Sequence, residues 1–371
     1  QKAAPVHTDK ASDYTLPATY TTLSSNSKIT QNGVYYVPAG VTITNMEIQW
    51  NNNIQLFVAG KLVYNKNNGT PSIPPGFKFI LLPGADVSFS DRKEMNFEQT
   101  GILVAVHDGA TLKFLESASI GNGSKLINDG VLTTAETFQV RSTSGVVVNN
   151  NEFTTKTLDL TNGAAFTNHS KLHLLENVVM NSNAVLVNNG TIEADVAFTS
   201  NNQTVKIYNN HIIKTPFFDF ARGGGELFNA CLIECEDFFA EGTIVHNADG
   251  ALIVCQDFQS NNTTFNLTGG SLIHVKDLGY DNVDEVKESG LTFVNNVVIN
   301  GIMANGVQPL FNTWKIAEKN RRNGSKVVHL KGTFEFSVSE MPAEKYFFKI
   351  DTGVTMSASP ITTIPSTSCN L

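Results

Sequence analysis

A chain of 371 residues with 41% hydrophobic content is long enough to bury one large core or two ordinary ones, which excludes disorder for the bulk of it. Only 16% of the residues are charged, and a net charge of −8 supplies no basic field for a phosphate backbone, which argues against nucleic acid as a partner. No run of about 18 apolar residues occurs, so no transmembrane helix is predicted.

In chain order, the first segment is QKAAPVHTDKASDYTLPATYTTLSSNS, polar, rich in Thr and Ser and without a starting Met. It reads as a mature N-terminus left by signal removal, so export is the expectation and 1–31 is a polar leader. NGVYYVPAGVTITN (32–45) then alternates apolar and polar residues as a strand does and marks the entry into regular structure. Less regular strand-and-turn segments follow at 45–69, 77–90 and 101–123.

From residue 126 the pattern is periodic. LINDGVL, VVNNNEF, FTNHSKL, LVNNGTI, IYNNHII and LFNACLI place an Asn after a short apolar run at Asn128, Asn149, Asn168, Asn188, Asn209 and Asn229, spaced 21, 19, 20, 21 and 20 residues apart. FVNNVVI (293–299) aligns as a later copy of the same corner. Second strand-like segments follow the markers, among them IECEDFF, IVCQDFQ and IHVKDLG. There Ile233, Ile253 and Ile273 form one column, Cys235, Cys255 and Val275 a second, and Asp237, Asp257 and Asp277 a third.

A unit of short strands and turns with almost no helix-forming run predicts an all-β fold. The prediction is a single-stranded right-handed parallel β-helix, a solenoid of about 20 residues per coil over 32–305. The leucine-rich alternative lacks its own residue spacing and its connecting helix. Coils stacked about 4.8 Å apart would make a rod on the order of 60–70 Å long. An Asn at the same corner of each coil can pass its amide hydrogen bonds along a ladder. The Gly or second Asn after it is expected to supply positive φ.

Beyond Asp277 the spacing swells by the insertion GYDNVDEVKESG, and insertions in solenoids map to loops on one face. Tyr280, Asp281, Asp284 and Glu285 are therefore the expected ligand-binding residues. The tail, 306–371, carries a charged helix-like run within 308–330 and then the strands GTFEFSVSEM and KYFFKIDTGVTMS. It is expected to cap the backbone edges that a solenoid end exposes.

The period and the NNG-type corner resemble right-handed parallel β-helix proteins of the bacterial exterior, the pectin-lyase-like architecture. That group includes adhesin-type surface proteins and enzymes that cut polysaccharides. The NTD, DD, GHG and RIK motifs that the resemblance implies for a polygalacturonase-like hydrolase do not occur. Arg222 in DFARGGGE, beside Asp219 and Glu226, is the candidate base for a lyase.

The Asp column stacks like charges about 5 Å apart, which backbone N–H groups, Lys276 or a cation such as calcium would offset. The four Cys show no zinc spacing, and Cys235 and Cys255 read either as buried small apolar side chains or as a disulfide. With no catalytic residue assigned, the expectation is a non-enzymatic exported protein, extracellular or at the cell surface, an adhesin-like or glycan-facing β-helical rod. The alternative is a polysaccharide lyase or glycoside hydrolase of the same fold. A trimeric tailspike-like assembly lacks a visible coiled-coil stem.

Overall fold

The computed structural model describes residues 6–50, 53–65, 71–90, 94–141, 144–200, 204–221, 223–276, 291–294, 296–311, 328–338 and 348–358. Among these, the only helical element is the single 3-10 turn Ala11–Asp13; the rest of the regular structure is strand. The chain divides into two compact units, 1–192 and 193–371.

In the first unit a regular coil consists of a four-residue strand, a corner holding the marker Asn, and a longer strand bent into two legs. Each coil thus has three sides. Val146–Asn149 pairs in parallel with Ala165–Asn168, and Glu152–Leu160 pairs in parallel with Lys171–Met180. The long strands bend where the register shifts, between Thr134 and Thr137 and between Thr155 and Thr157. This is a parallel β-solenoid with coils about 20 residues apart, as the period predicts.

Period-2 alternation sends Leu126, Val147, Phe166 and Leu186 inward on the first side and Leu132, Phe153 and Leu172 inward on the second. Phe138, Leu158 and Val178 fill the third. All ten are no more than 1% exposed, and full burial of side chains this large contributes about 1.5–3 kcal/mol each.

The corner from the third side to the next first side needs left-handed backbone. Asn122, Ser144, Asn162 and Asn183 supply it, small polar residues that tolerate that conformation better than branched ones. The expected positive φ after the marker Asn is absent, since neither Asn189 nor Gly190 adopts it. Gly190 is required for a different reason: a Cβ there would lie 2.0 Å from the carbonyl oxygen of Ser170 on the coil beneath.

The second unit repeats the plan. Glu226–Asn229 pairs in parallel with Ile244–Asn247, which pairs with Thr264–Thr268, which pairs with Val297–Ile302. Its core carries Phe198, Phe218, Phe238 and Phe258 in one inward column, rings 5.1, 5.3 and 5.0 Å apart and within 21° of coplanar. Isolated rings prefer offset or edge-on contact. Here the strand spacing imposes face-to-face stacking.

The Ile and Asp columns hold, with Ile233 over Ile253 and Ile273 and Asp237 over Asp257. FVNNVVI does not repeat the marker corner. Leu291–Val294 pairs with Asp257–Asn261 on the third side, whereas Val297–Ile302 lies on the first, so the Asn run marks a different corner.

After residue 305 the described strands keep parallel partners. Val328–Val338 runs along Val297–Ile302, and Phe348–Ile350 and Val354–Ala358 run along Val328–Val338. The charged helix-like run falls at 312–327, outside the described residues. At the other end, Thr21–Thr22 and Lys28–Ile29 already pair in parallel with later strands.

Residues 7–16 form a strap across the outside of the first side of the first unit. Its main chain is held by the residue that follows each marker position, one coil at a time. His107 Nε2 bonds Tyr14 O at 3.0 Å, Asp129 Oδ2 accepts from Ala11 N at 2.8 Å, Asn150 Nδ2 donates to Asp9 O at 3.0 Å, and His169 Nε2 bonds His7 O at 2.7 Å. A Lys125–Asp9 ion pair at 3.0 Å adds to these. Beneath the strap, the fully buried Ala11 packs on the outward residues Phe57, Ile80, Leu103, Ala105 and Ile127.

Candidate functional site

The marker Asn residues form a hydrogen-bonded ladder in each unit. In the first unit Asn128 Nδ2 donates to Asn149 Oδ1 at 2.8 Å, Asn149 to Asn168 at 2.8 Å and Asn168 to Asn188 at 2.9 Å. In the second unit Asn209 donates to Asn229 at 2.9 Å and Asn229 to Asn247 at 2.8 Å. Asn247 was not legible from spacing, because its step is only 18 residues. Each amide also satisfies corner carbonyls, as Asn168 does for Ser170 and Thr191. All of these side chains are at most 1% exposed, so they bind backbone and one another instead of a ligand.

Tyr280, Asp281, Asp284 and Glu285, with Asp277 and Arg222, lie outside the described residues. Asp237 and Asp257 stack in register, yet among the described residues no group of three or more His, Cys, Asp or Glu is placed to hold a metal ion. Cys235 and Cys255 are free, buried thiols on adjacent coils, which decides between their two readings. Burial, and then the neighbouring Cys235, push the Cys255 thiol well above its usual range, so it is no nucleophile.

An outward polar column on the third side of the first unit gathers groups of complementary chemistry. The parallel register puts Asn96 beside Ser119, Ser119 beside Gln139 and Gln139 beside Asp159. Ser119 Oγ bonds Glu98 Oε1 at 2.6 Å and Asn96 Oδ1 at 2.8 Å, within hydrogen-bond reach of both. Arg141, one pleat further along its strand, reaches Glu94 at 3.2 Å and Glu98 at 3.5 Å and also donates to Gln139 Oε1.

Gln139 Nε2 in turn donates to Asp159 Oδ2 at 3.2 Å, while Asp159 Oδ1 has no partner among the described residues. Burial raises the Asp159 carboxyl above its ordinary value, opposed by the Gln139 bond and the Arg141 charge. Arg141, Glu94 and Glu98 each keep about a third of their side chain in solvent.

The array therefore offers a guanidinium, amides and three carboxylates at the height of successive coils. These are the group types that hydrogen-bond a polyhydroxylated chain. The pattern of the sequence does not show it, because its members share no residue type and half of them sit outside the periodic coils that begin at residue 126. Compared with protein-family models, curated protein sequences and solved structures, the chain matches none.

Proposed function

We propose that this is an exported, non-enzymatic surface protein whose outward columns face an extended glycan. The observation that carries the reading is the Asn96–Ser119–Gln139–Asp159 column with the partly exposed Arg141, Glu94 and Glu98 around it, oriented by their hydrogen bonds. Holding such groups in place before binding lowers the ordering cost of association. Cys231 is disulfide-bonded, which supports an oxidising compartment.

The test is a glycan-array screen of the full chain, with and without calcium. Arg141→Ala or Gln139→Ala is expected to weaken any binding tenfold or more. Retention of binding by both variants, with loss on Asp281→Ala/Asp284→Ala, would move the site to the inserted loop. A second reading, a glycoside hydrolase, draws on the raised carboxyl of Asp159, because such hydrolysis needs a carboxyl group that holds its proton as the general acid. Release of reducing sugar that disappears in Asp159→Asn would establish it in place of the binding role.

A further inference from the structure

Asn–Gly steps are where a polypeptide most readily modifies itself, because a glycine amide, unshielded by any Cβ, can close on the side-chain carbon of the asparagine before it. The chain has eight such steps, and six lie among the described residues: Asn32–Gly33, Asn122–Gly123, Asn162–Gly163, Asn189–Gly190, Asn300–Gly301 and Asn305–Gly306. The fold restrains the first five. Asn32 Oδ1 accepts from Asn53 N at 2.7 Å, while Gly33 N donates to Asn53 O at 3.0 Å. Asn122 Nδ2 donates to Glu98 O at 2.6 Å, and Gly163 N donates to Ser182 O at 2.8 Å. Gly190 N donates to Asn188 Oδ1 at 3.2 Å. Asn300 Nδ2 donates to Asn266 Oδ1 at 3.1 Å, and Gly301 is paired to the strands on both sides of it.

Asn305 and Gly306 form the tip of a two-residue hairpin in the second unit. Ala304 N donates to Val307 O at 3.1 Å and Val307 N to Ala304 O at 2.8 Å, and φ values of 50° and 76° are those of a type I′ turn. The base of the hairpin is clamped, for a Cβ on Gly269 would lie 2.0 Å from Val307 O and 2.3 Å from Ala304 N, and Gly269 N donates to Ile302 O at 2.7 Å. The tip stands clear. Both of its residues are exposed, and a Cβ on Gly306 would meet nothing within 4 Å. Among the described residues neither the Asn305 side chain nor the Gly306 amide has a hydrogen-bond partner. We propose that Asn305 is a self-modification site, where the folded chain converts an asparagine amide into a carboxylate ahead of every other described Asn–Gly step.

The conversion needs only water. Gly306 N forms a bond to Asn305 Cγ, the Cγ–Nδ2 bond breaks, and the Gly306 amide proton departs with the amine as ammonia. Water then opens the cyclic imide at either carbonyl and leaves an aspartyl or a β-linked isoaspartyl residue at position 305. Attack requires the Asn305 side chain and the Gly306 amide to rotate towards each other, and a step that must first break a hydrogen bond of the fold has that loss added to its barrier. Ile302, Met303 and Val307, each about half exposed, flank the turn, and the hairpin 302–307 contains no charged residue. Conversion therefore sets a negative charge on an apolar, outward tip.

The test incubates the folded full chain at mildly alkaline pH and maps its peptides by mass spectrometry at intervals, with electron-transfer fragmentation to tell isoaspartyl from aspartyl. The peptide holding Asn305 is expected to lose its amide severalfold faster than those holding Asn162, Asn189 and Asn300. In urea the differences are expected to shrink, because the fold that restrains the other steps is gone. Asn305→Gln, whose longer side chain closes the ring far less readily, is expected to keep the far-ultraviolet dichroism and its amide while the other peptides convert at their parental rates. Conversion of Asn162, Asn189 or Asn300 as fast as Asn305 in the folded chain overturns the proposal. So does an Asn305 that keeps its amide when folded and loses it in urea.

Discussion

Asp159 spends folding free energy to sit where it does. Burial raises its carboxyl above the ordinary value, so the folded chain holds the proton more tightly than the unfolded chain does. Ionisation at neutral pH therefore costs stability, and the cost is relieved as the pH falls through the raised pKa. Asp159→Asn keeps an acceptor for Gln139 and removes the charge. It is expected to unfold at a higher temperature than the parent at pH 7, with the gap closing on acidification below the carboxylate range, as calorimetry across pH would show. A variant less stable than the parent at pH 7 would mean that the Gln139 and Arg141 interactions outweigh burial.

At the scale of the element, the ladder distributes its stabilisation unevenly. Asn168 has donors and acceptors satisfied on both sides, whereas Asn128 Oδ1 has no partner among the described residues, because the coil before it presents Val106 at that position. Asn168→Ala leaves a buried amide and two corner carbonyls short of partners. It is expected to cost about 2–5 kcal/mol in urea unfolding, against clearly less for Asn128→Ala. Equal costs would show that the amides act only on their own corners and not as a ladder.

The same contrast explains what could be read in advance. The ladder repeats one residue type at one corner, and the in-register Ile and Asp columns repeat theirs, so the coil length and the parallel stacking were visible in the chain. The strap was not, because its main-chain groups are recognised by His107, Asp129, Asn150 and His169, four positions that share a place and not a chemistry. The Arg141 cluster was missed for the same reason. Asn247 was hidden by a shortened step, and the Gly after Asn188 was assigned the wrong constraint because close approach between coils cannot be seen along one strand.

At the scale of the whole molecule, a solenoid is stabilised chiefly by neighbour-on-neighbour contacts, so its parts respond to local changes locally. The strap is the exception in the first unit, for it ties together coils that do not touch. Removal of residues 1–16 is expected to leave the strand content intact, to expose Phe57, Ile80 and Ile127 to an apolar dye, and to lower the melting temperature by a few degrees. Loss of all strand structure would instead make the strap a folding requirement.

Its bonds join residues 93 to 162 apart in the chain. During synthesis at about 5–20 residues per second, His7 exists for roughly 8–30 s before His169 is made. Residues 7–16 are thus made well before the coils that hold them, and for that interval they must wait in water alone. A hydrophilic, Thr- and Ser-rich composition is what such a segment needs if its words are to remain silent until the sentence they complete has been written.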